Sequence, residues 1–529
     1  MAPISIAEHP APWPLLDLDV AAIRAAGHEP VPFRQFILKV HSRCNLSCSY
    51  CYVYEMADQS WRQMPKRMSR GVAQKAVERI AEHAEGHGLE SIDIILHGGE
   101  PLLAGAPWLA DLAEALFAKV PAHVNLLLQT NGTMLERPML ETLKRLHVQV
   151  GVSLDGDAEA MGRHRRYANG HNSFGAVADG LYLLESPEFR ECYSGILCTI
   201  DVDNDPVATY EALLKFSPPA IDFLLPHANW SSAPPGTGYA DWLITVFERW
   251  YSAPQQETRI RLFSELVQLV LGQPGAVEGL GLLPSTVVVV DTDGAIKQLD
   301  SLSSAYPGAA DTGLDVNSGS FDDALEHPTT IARQIGVDAL SEQCRACPVM
   351  EICGGGLYPH RYRRGAGFRH PSVYCADLLR LITHVRDRII ADVRDLKVLY
   401  VGFDFRGQPG PVPGCPCLGV LQGQRLLVPA EYVGESLLRT GLVSRGGLVD
   451  SQIRFCDQGV RVIIAECLAA FGQRLLADVD GLAQLVARGQ VGCVVDRRRQ
   501  REWVQLPIYP DEPPHGLLVI PPGLFGTVS

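Results

Sequence analysis

Residues 36–52 read Phe36-Ile-Leu-Lys-Val-His-Ser-Arg-Cys-Asn-Leu-Ser-Cys-Ser-Tyr-Cys-Tyr52. Phe36, Leu38 and Val40 alternate ahead of the cysteines, the pattern of a buried strand. Cys44, Cys48 and Cys51 follow with C-x3-C-x2-C spacing, on the loop at the strand's C-terminal end. α/β barrels place their chemistry at that end. Three thiolates hold three irons of a cubane cluster that ordinarily takes four cysteine ligands. One iron is then left open for a substrate or cofactor, as a catalytic zinc keeps one open position. Two plainer readings stand beside this one, buried thiols and part of a zinc knuckle. His41, three residues before Cys44, is the only local candidate for a fourth zinc ligand.

Outward from this loop, strand-like runs alternate with helical ones. The predicted strands are Phe36–Val40, Ile92–Leu96, Asn125–Gln129, Val148–Ser153, Ile196–Asp201 and Ile221–Leu225, with helical patterns between them, as over Ser69–His83 and Glu136–Leu146. Ser69 is a natural N-cap. Six β/α units over residues 35–230 predict a parallel sheet curled into a partial barrel, with a lateral mouth wide enough for a peptide. Residues 1–34, Pro-rich, read as an N-terminal extension lying on the barrel. Residues 231–285 open with the break Ala233-Pro-Pro-Gly-Thr-Gly and form a helical connector, with helices around Trp242–Tyr251 and Arg261–Leu271. A second module, 286–390, starts with a hairpin, Thr286–Asp291 and Ala295–Leu299, turned at Asp293-Gly294. A third region, 395–529, begins with a strand at Lys397–Phe403 and reads as a C-terminal α+β domain.

The totals exclude several classes. At 529 residues the chain is too long for one core. It is 47% hydrophobic and 20% charged, and has no stretch of 18 apolar residues, so no spanning helix is predicted. No signal peptide is read at Met1–Pro10. Fourteen cysteines without an export signal point to a reducing, cytoplasmic setting and to metal ligation. A net charge of −14 argues against a nucleic-acid partner.

Further motifs sit at predicted strand ends. His97-Gly98-Gly99-Glu100-Pro101 offers glycines for close backbone approach and a carboxylate for an ammonium; the plain reading is a Gly-Gly turn. Gln129-Thr130-Asn131-Gly132 and Ser153-Leu154-Asp155-Gly156 come next, with Arg165 twelve residues beyond Ser153. Arg163 and Arg166 flank Arg165, so a surface basic cluster is open there. Cys344-x2-Cys347-x5-Cys353, with Cys375 after 21 residues, suits a four-cysteine zinc site or a fully ligated [4Fe–4S] cluster. Asp300 ends the run Gln298-Leu299-Asp300 and is either a base or a turn residue.

Cys44-x3-Cys48-Ser-Tyr50-Cys51 resembles the signature of radical S-adenosylmethionine enzymes. That resemblance implies a [4Fe–4S] cluster whose open iron chelates the amino and carboxylate groups of S-adenosylmethionine, and reductive cleavage to a 5′-deoxyadenosyl radical. Gly98, Gly99 and Glu100 then correspond to the segment that binds the methionine amino group. Tyr50, Thr130, Asn131, Ser153, Asp155 and Arg165 fall where relatives line the cofactor. The later cysteines resemble the outer auxiliary-cluster half of a SPASM domain. Gln298 and Leu357 stand near the usual positions of inner-cluster cysteines, so one auxiliary [4Fe–4S] cluster is expected, on Cys344, Cys347, Cys353 and Cys375. In related sulfatase maturases an aspartate beside the missing cysteine acts as base, the place Asp300 takes. The segments Val287–Gly294, Gln298–Leu302, Cys353–Arg363 and Pro371–Leu378 resemble FxsB-type peptide maturases. This implies a cyclophane crosslink between a β-carbon and an aromatic ring of a ribosomally made precursor peptide, served by an electron donor such as flavodoxin or ferredoxin. Formylglycine formation of the sulfatase-maturase type, and a non-catalytic iron–sulfur sensor, are the competing expectations. Residues 395–529 carry no H-E-x-x-H motif. Cys415, Cys417, Cys456, Cys467 and Cys493 read as buried thiols. Arg497–Arg499 and Arg501 read as a solvated face or a contact for an acidic leader, and the region as one that binds precursor or partner.

Overall fold

The computed structural model describes residues 12–275 and 277–395. The strand expected at Lys397–Phe403, the five later cysteines and the arginine run lie outside the described residues. Six strands, β1 (Gln35–His41), β2 (Ser91–Gly98), β3 (His123–Thr130), β4 (Gln149–Ser153), β5 (Tyr193–Thr199) and β6 (Ala220–Leu224), pair in parallel in chain order. They match the alternation read from the sequence to within a few residues at each end. Parallel neighbours need long crossovers, and helices such as Arg70–Gly86, Ala106–Lys119 and Arg137–Arg145 supply them. The Ser69 side chain accepts the Val72 N–H, as its place before the helix Arg70–Gly86 predicts. That helix buries Ala73, Ala76, Val77 and Ile80, one stripe at helical spacing.

The sheet does not stop at six strands. β7 (Arg259–Ile260) adds beside β6, and β8 (Val287–Val290), β9 (Ala295–Lys297) and β10 (Asp311–Asp315) extend the other edge. β8 runs parallel to β1, with Phe36 opposite Val288 and Leu38 opposite Val290. All four valines of β8 are buried, the unbroken apolar run of a strand covered on both faces. β9 turns back antiparallel to it, as the Asp-Gly turn predicts. The hairpin is thus part of the barrel sheet, with β8 lying between β9 and β1.

The N-terminal extension joins a second apolar cluster. Trp13 is buried with Leu302, Tyr306, Tyr358, Tyr362 and Phe368. A side chain on Gly367 would come within 2.0 Å of the Trp13 carbonyl oxygen, so this contact is closed by backbone as well as by the indole. Val31 and Gln334 exchange hydrogen bonds, and Arg24 pairs with Glu326. Among the described residues no helix is long and apolar enough to cross a membrane. Truncating a buried Trp costs about 3–5 kcal/mol. Trp13→Ala is therefore expected to lower the unfolding midpoint in thermal denaturation by several degrees, and an unchanged midpoint would show the extension to be dispensable for stability.

Candidate active site

The end of β1 and the loop after it are bound edge to edge to the end of β2. Gly99 N–H donates to the His41 carbonyl at 2.8 Å and Glu100 N–H to the Arg43 carbonyl at 3.0 Å. A Cβ on Gly98 would stand 2.2 Å from the His41 carbonyl oxygen, and one on Gly99 would stand 1.9 Å from the Tyr54 hydroxyl. The two glycines are required by this backbone contact, which presses the cysteine loop against β2; close approach to a ligand was the expectation from sequence. Glu100 is fully buried. Its carboxylate accepts the Leu102 N–H (3.0 Å), the Thr130 hydroxyl (2.8 Å) and the Asn131 N–H (2.8 Å). A carboxylate has about four acceptor positions, so one is left for an ammonium. Burial pushes its pKa up and the three donors oppose that.

Asn131 carries the linkage onward. Its amide nitrogen donates to Cys44 Sγ at 3.4 Å and to Asn45 Oδ1 at 2.8 Å. The Leu46 N–H also points at Cys44 Sγ, at 3.4 Å. Burial pushes the Cys44 and Cys48 thiols up to about 11, and raises that of Cys51. Three mutually interacting soft donors in a half-buried loop, with N–H groups directed at one sulfur, suit an iron–sulfur cluster, because metal charge replaces the protons and the hydrogen bonds tune the potential.

Tyr50, Asp155 and Arg165 form one buried group. The Tyr50 hydroxyl donates to Asp155 and accepts from Arg165 Nη1 at 2.8 Å. Asp155 Oδ1 accepts the Thr199 N–H at 3.0 Å. Burial raises the Asp155 and Tyr50 pKa values, with Arg165 opposing. Arg165 Nε is buried without a partner, an orphaned donor of the kind a ligand carboxylate satisfies. Arg163 pairs instead with Asp201 and Arg166 with the Gly162 carbonyl, so of the three arginines Arg165 is the one that meets Tyr50. Ser153 is half-buried and accepts from Gln129 Nε2 at 3.0 Å.

Asp300 opens the turn Asp300–Ser304. Its side chain does not cap that turn. Oδ1 accepts from Lys39 Nζ at 3.1 Å and Oδ2 from the Tyr52 hydroxyl at 3.0 Å. Lys39 also lies 3.6 Å from Asp291, which pairs with Lys297 at 3.1 Å. Burial disfavours the Lys39 ammonium, yet Asp300 and Asp291 hold its pKa well above the usual lysine range. His97 and His227 complete the surroundings, each with a buried Nδ1 lacking a partner. Burial pushes His227 down to about 4 and lowers His97, against the pull of Asp300 on both. Lys39, Tyr52 and the two histidines were not singled out in the sequence. A lysine inside the apolar run of β1 was the available signal, since a lysine there is buried only if paired.

Cys344, Cys347, Cys353 and Cys375 lie within electrostatic reach of one another. Cys344 and Cys375 each act electrostatically on Cys353, and Cys344 and Cys347 on Cys375. Burial pushes Cys353 up to about 11. Buried Arg361 reaches the carbonyls of Gly354, Gly355 and Gly356, holding the loop after Cys353. A Cβ on Gly354, at φ 57°, would stand 1.6 Å from the Gly281 carbonyl oxygen. Gln298 is buried, donating to Thr330 Oγ1 at 2.6 Å and accepting from Arg333 at 3.2 Å. The Gln298 amide is thus held at both ends in the core.

Two variants probe this geometry. Glu100→Ala strips the acceptor from two backbone N–H groups and loosens the Asn131–Cys44 link, so the iron bound per chain falls while Cys344, Cys347, Cys353 and Cys375 keep theirs; elemental analysis against wild type checks this. Lys39→Met leaves Asp300 and Asp291 buried without their shared cation, a change worth about 3–5 kcal/mol. Burial pushes the Asp291 pKa up, but Lys39 and Lys297 outweigh it and hold the carboxyl below its usual range. That stability is present above the unfolded carboxylate pKa and lost as pH falls through the folded one. The gap between wild type and Lys39→Met in denaturant unfolding should therefore narrow below about pH 4.

Residues 38–213 match the radical SAM superfamily. A cysteine-type anaerobic sulfatase-maturating enzyme of Clostridium perfringens is 24% identical over 386 residues, 69% of this chain and 100% of that relative. A serine-type counterpart from Klebsiella aerogenes is 22% identical over 363 residues, 65% of this chain and 85% of the relative. The solved structure of native anSMEcpe with bound AdoMet superposes with a TM-score of 0.59 at 21% identity, over 68% of this chain and 98% of that one. The cysteine loop and the glycine contact thus lie in the segment that matches the radical SAM superfamily, a family that binds a [4Fe–4S] cluster and S-adenosylmethionine, and the parallel sheet has the fold of native anSMEcpe.

Proposed function

We propose that this chain is a radical SAM maturase that oxidises a peptide side chain at its β-carbon, with Asp300 as the proton acceptor. The observation that carries the reading is the buried Asp300 carboxylate, held by Lys39 and Tyr52 beside the strand that bears the cysteine loop. Cys44, Cys48 and Cys51 are assigned to the cluster, and Cys344, Cys347, Cys353 and Cys375 to one auxiliary cluster. When bound, the first cluster supplies the electron that cleaves S-adenosylmethionine to the radical that takes a β-hydrogen. The orphaned Arg165 Nε receives the cofactor's carboxylate, and the free acceptor position of Glu100 its ammonium. The Asp300 carboxylate, bonded to the Lys39 ammonium and the Tyr52 hydroxyl, accepts a proton once the β-carbon has lost its hydrogen atom. An electron donor of the flavodoxin or ferredoxin type would reduce the first cluster, and the auxiliary cluster on Cys344, Cys347, Cys353 and Cys375 would carry the second electron out.

Two products complete this oxidation. Likeness to sulfatase-maturating enzymes along their whole length, one of them solved with AdoMet and the Cp18Cys peptide bound, favours a formylglycine aldehyde. The buried Gln298 network in place of inner-cluster thiols, with the FxsB-like segments, favours the cyclophane crosslink as second reading. Reconstituted protein with S-adenosylmethionine and dithionite should form 5′-deoxyadenosine, and Cys44→Ala/Cys48→Ala/Cys51→Ala should not. With candidate peptides, an aldehyde product is captured by a hydrazine, whereas a crosslinked peptide is two hydrogens lighter and inert to it. Asp300→Asn should cut product on the order of 10²-fold or more, the usual worth of a general base, while 5′-deoxyadenosine persists. Equal product from Asp300→Asn would remove Asp300 from the mechanism. Residues 395–529 are assigned to precursor or partner binding; a deletion ending near residue 395 should slow modification, and full-rate modification would overturn that assignment.

A further inference from the structure

Away from this site, a group of ligand-type side chains has no part in the chemistry above. His83 lies in the last turn of the helix Arg70–Gly86 and His87 caps it. Spaced four apart, the two imidazoles share one helix face. Both meet Asp322, from the short helix Phe321–Leu325. Asp322 Oδ1 is 2.6 Å from His83 Nδ1 and 2.9 Å from His87 Nε2, and the three atoms all lie within 4.8 Å of one another.

The chemistry of the three is that of a metal site. The His83 side chain is 1% exposed, against 28% for His87 and 58% for Asp322, so one ligand is anchored in the core and one side opens to solvent. Phe33, Phe36 and Phe321 pack around the His83 ring at 5.8, 5.8 and 6.1 Å and fix its plane. His83 Nε2 is buried with no partner in hydrogen-bonding geometry, although the Phe33 carbonyl acts favourably on the ring. A metal on Nδ1 selects the tautomer with its proton on Nε2, the nitrogen that ligating histidines ordinarily direct at a carbonyl. The C-terminal end of the helix carries negative partial charge, which favours a cation.

We propose that His83 Nδ1, His87 Nε2 and Asp322 Oδ1 bind one divalent transition-metal ion of the zinc type. Two imidazoles and a carboxylate suit that class, with solvent in the remaining position. Metal–ligand bonds of about 2.0–2.2 Å require the three atoms to spread by less than about 1 Å from their hydrogen-bonded spacing. The ion then ties the barrel's first crossover helix to a segment 235 residues further along the chain.

The test uses the full chain with its cysteines loaded with iron and sulfide, incubated with Zn²⁺ or Co²⁺ and freed of excess metal. The expected result is one zinc per chain above the cluster iron, a Co²⁺ visible spectrum without thiolate charge transfer, and a zinc-dependent rise in unfolding temperature. His87→Gln and Asp322→Asn change partly exposed side chains. Each should weaken binding by at least about 100-fold, more than loss of an outer partner costs, and abolish the rise. A wild-type protein that takes up no zinc, or variants that bind as wild type does, would overturn the site and leave a hydrogen-bonded His–Asp–His triad.

Discussion

The parallel pairing of β1 on both of its edges is the constraint on which the rest of the structure depends. β2 binds one edge and β8 the other. Because parallel strands end together, three segments distant in sequence discharge their loops at one place: the cysteine loop after β1, the Gly-Gly-Glu turn after β2 and, by way of the β9 hairpin, Asp300. The valines of β8 supply the apolar contact that makes the second pairing favourable. Without it, Asp300 would have no reason to lie near Lys39, and the carboxylate would be an ordinary turn residue.

The site is also a concentration of buried charge, which is stabilising only while it remains paired. Glu100 is fixed by three donors, Asp155 by Tyr50 and a backbone N–H, and Lys39 by two carboxylates. Each arrangement uses up most of the hydrogen-bonding capacity of its members and leaves little unassigned. The exceptions are informative: Arg165 Nε and the Nδ1 atoms of His97 and His227 are buried without partners. Unsatisfied buried polar atoms are rare in folded proteins and cluster where something else binds. Here Arg165 lies beside the cysteine loop, and the two histidines lie within electrostatic reach of Asp300.

The two glycines after β2 illustrate how one residue type can be read correctly for an incomplete reason. Close approach was evident from Gly98-Gly99, but the partner that approaches is the backbone of His41 and Arg43. The glycines thereby set the position of the cysteine loop itself. Gln298 makes the complementary point. Its place after the hairpin is visible in the sequence; that its amide is bonded at both ends in the core, to Thr330 and Arg333, is not.

By itself the sequence determined what depends on neighbours a few residues away. Strand-like runs alternating with helical ones marked the six parallel strands, Ser69 the start of the helix Arg70–Gly86, Asp293-Gly294 the hairpin, and the C-x3-C-x2-C spacing an open cluster loop. These are short-range consequences of backbone geometry, so no partner need be known. The tertiary structure alone decided which side chains meet across long separations: Lys39 with Asp300, 261 residues apart, His83 with Asp322, Trp13 with the cluster around Tyr362, and Arg165 rather than Arg163 or Arg166 facing Tyr50. Such pairings depend on which strands lie side by side and how each helix is rotated. Those are set by burial summed over the whole chain, which no local pattern encodes.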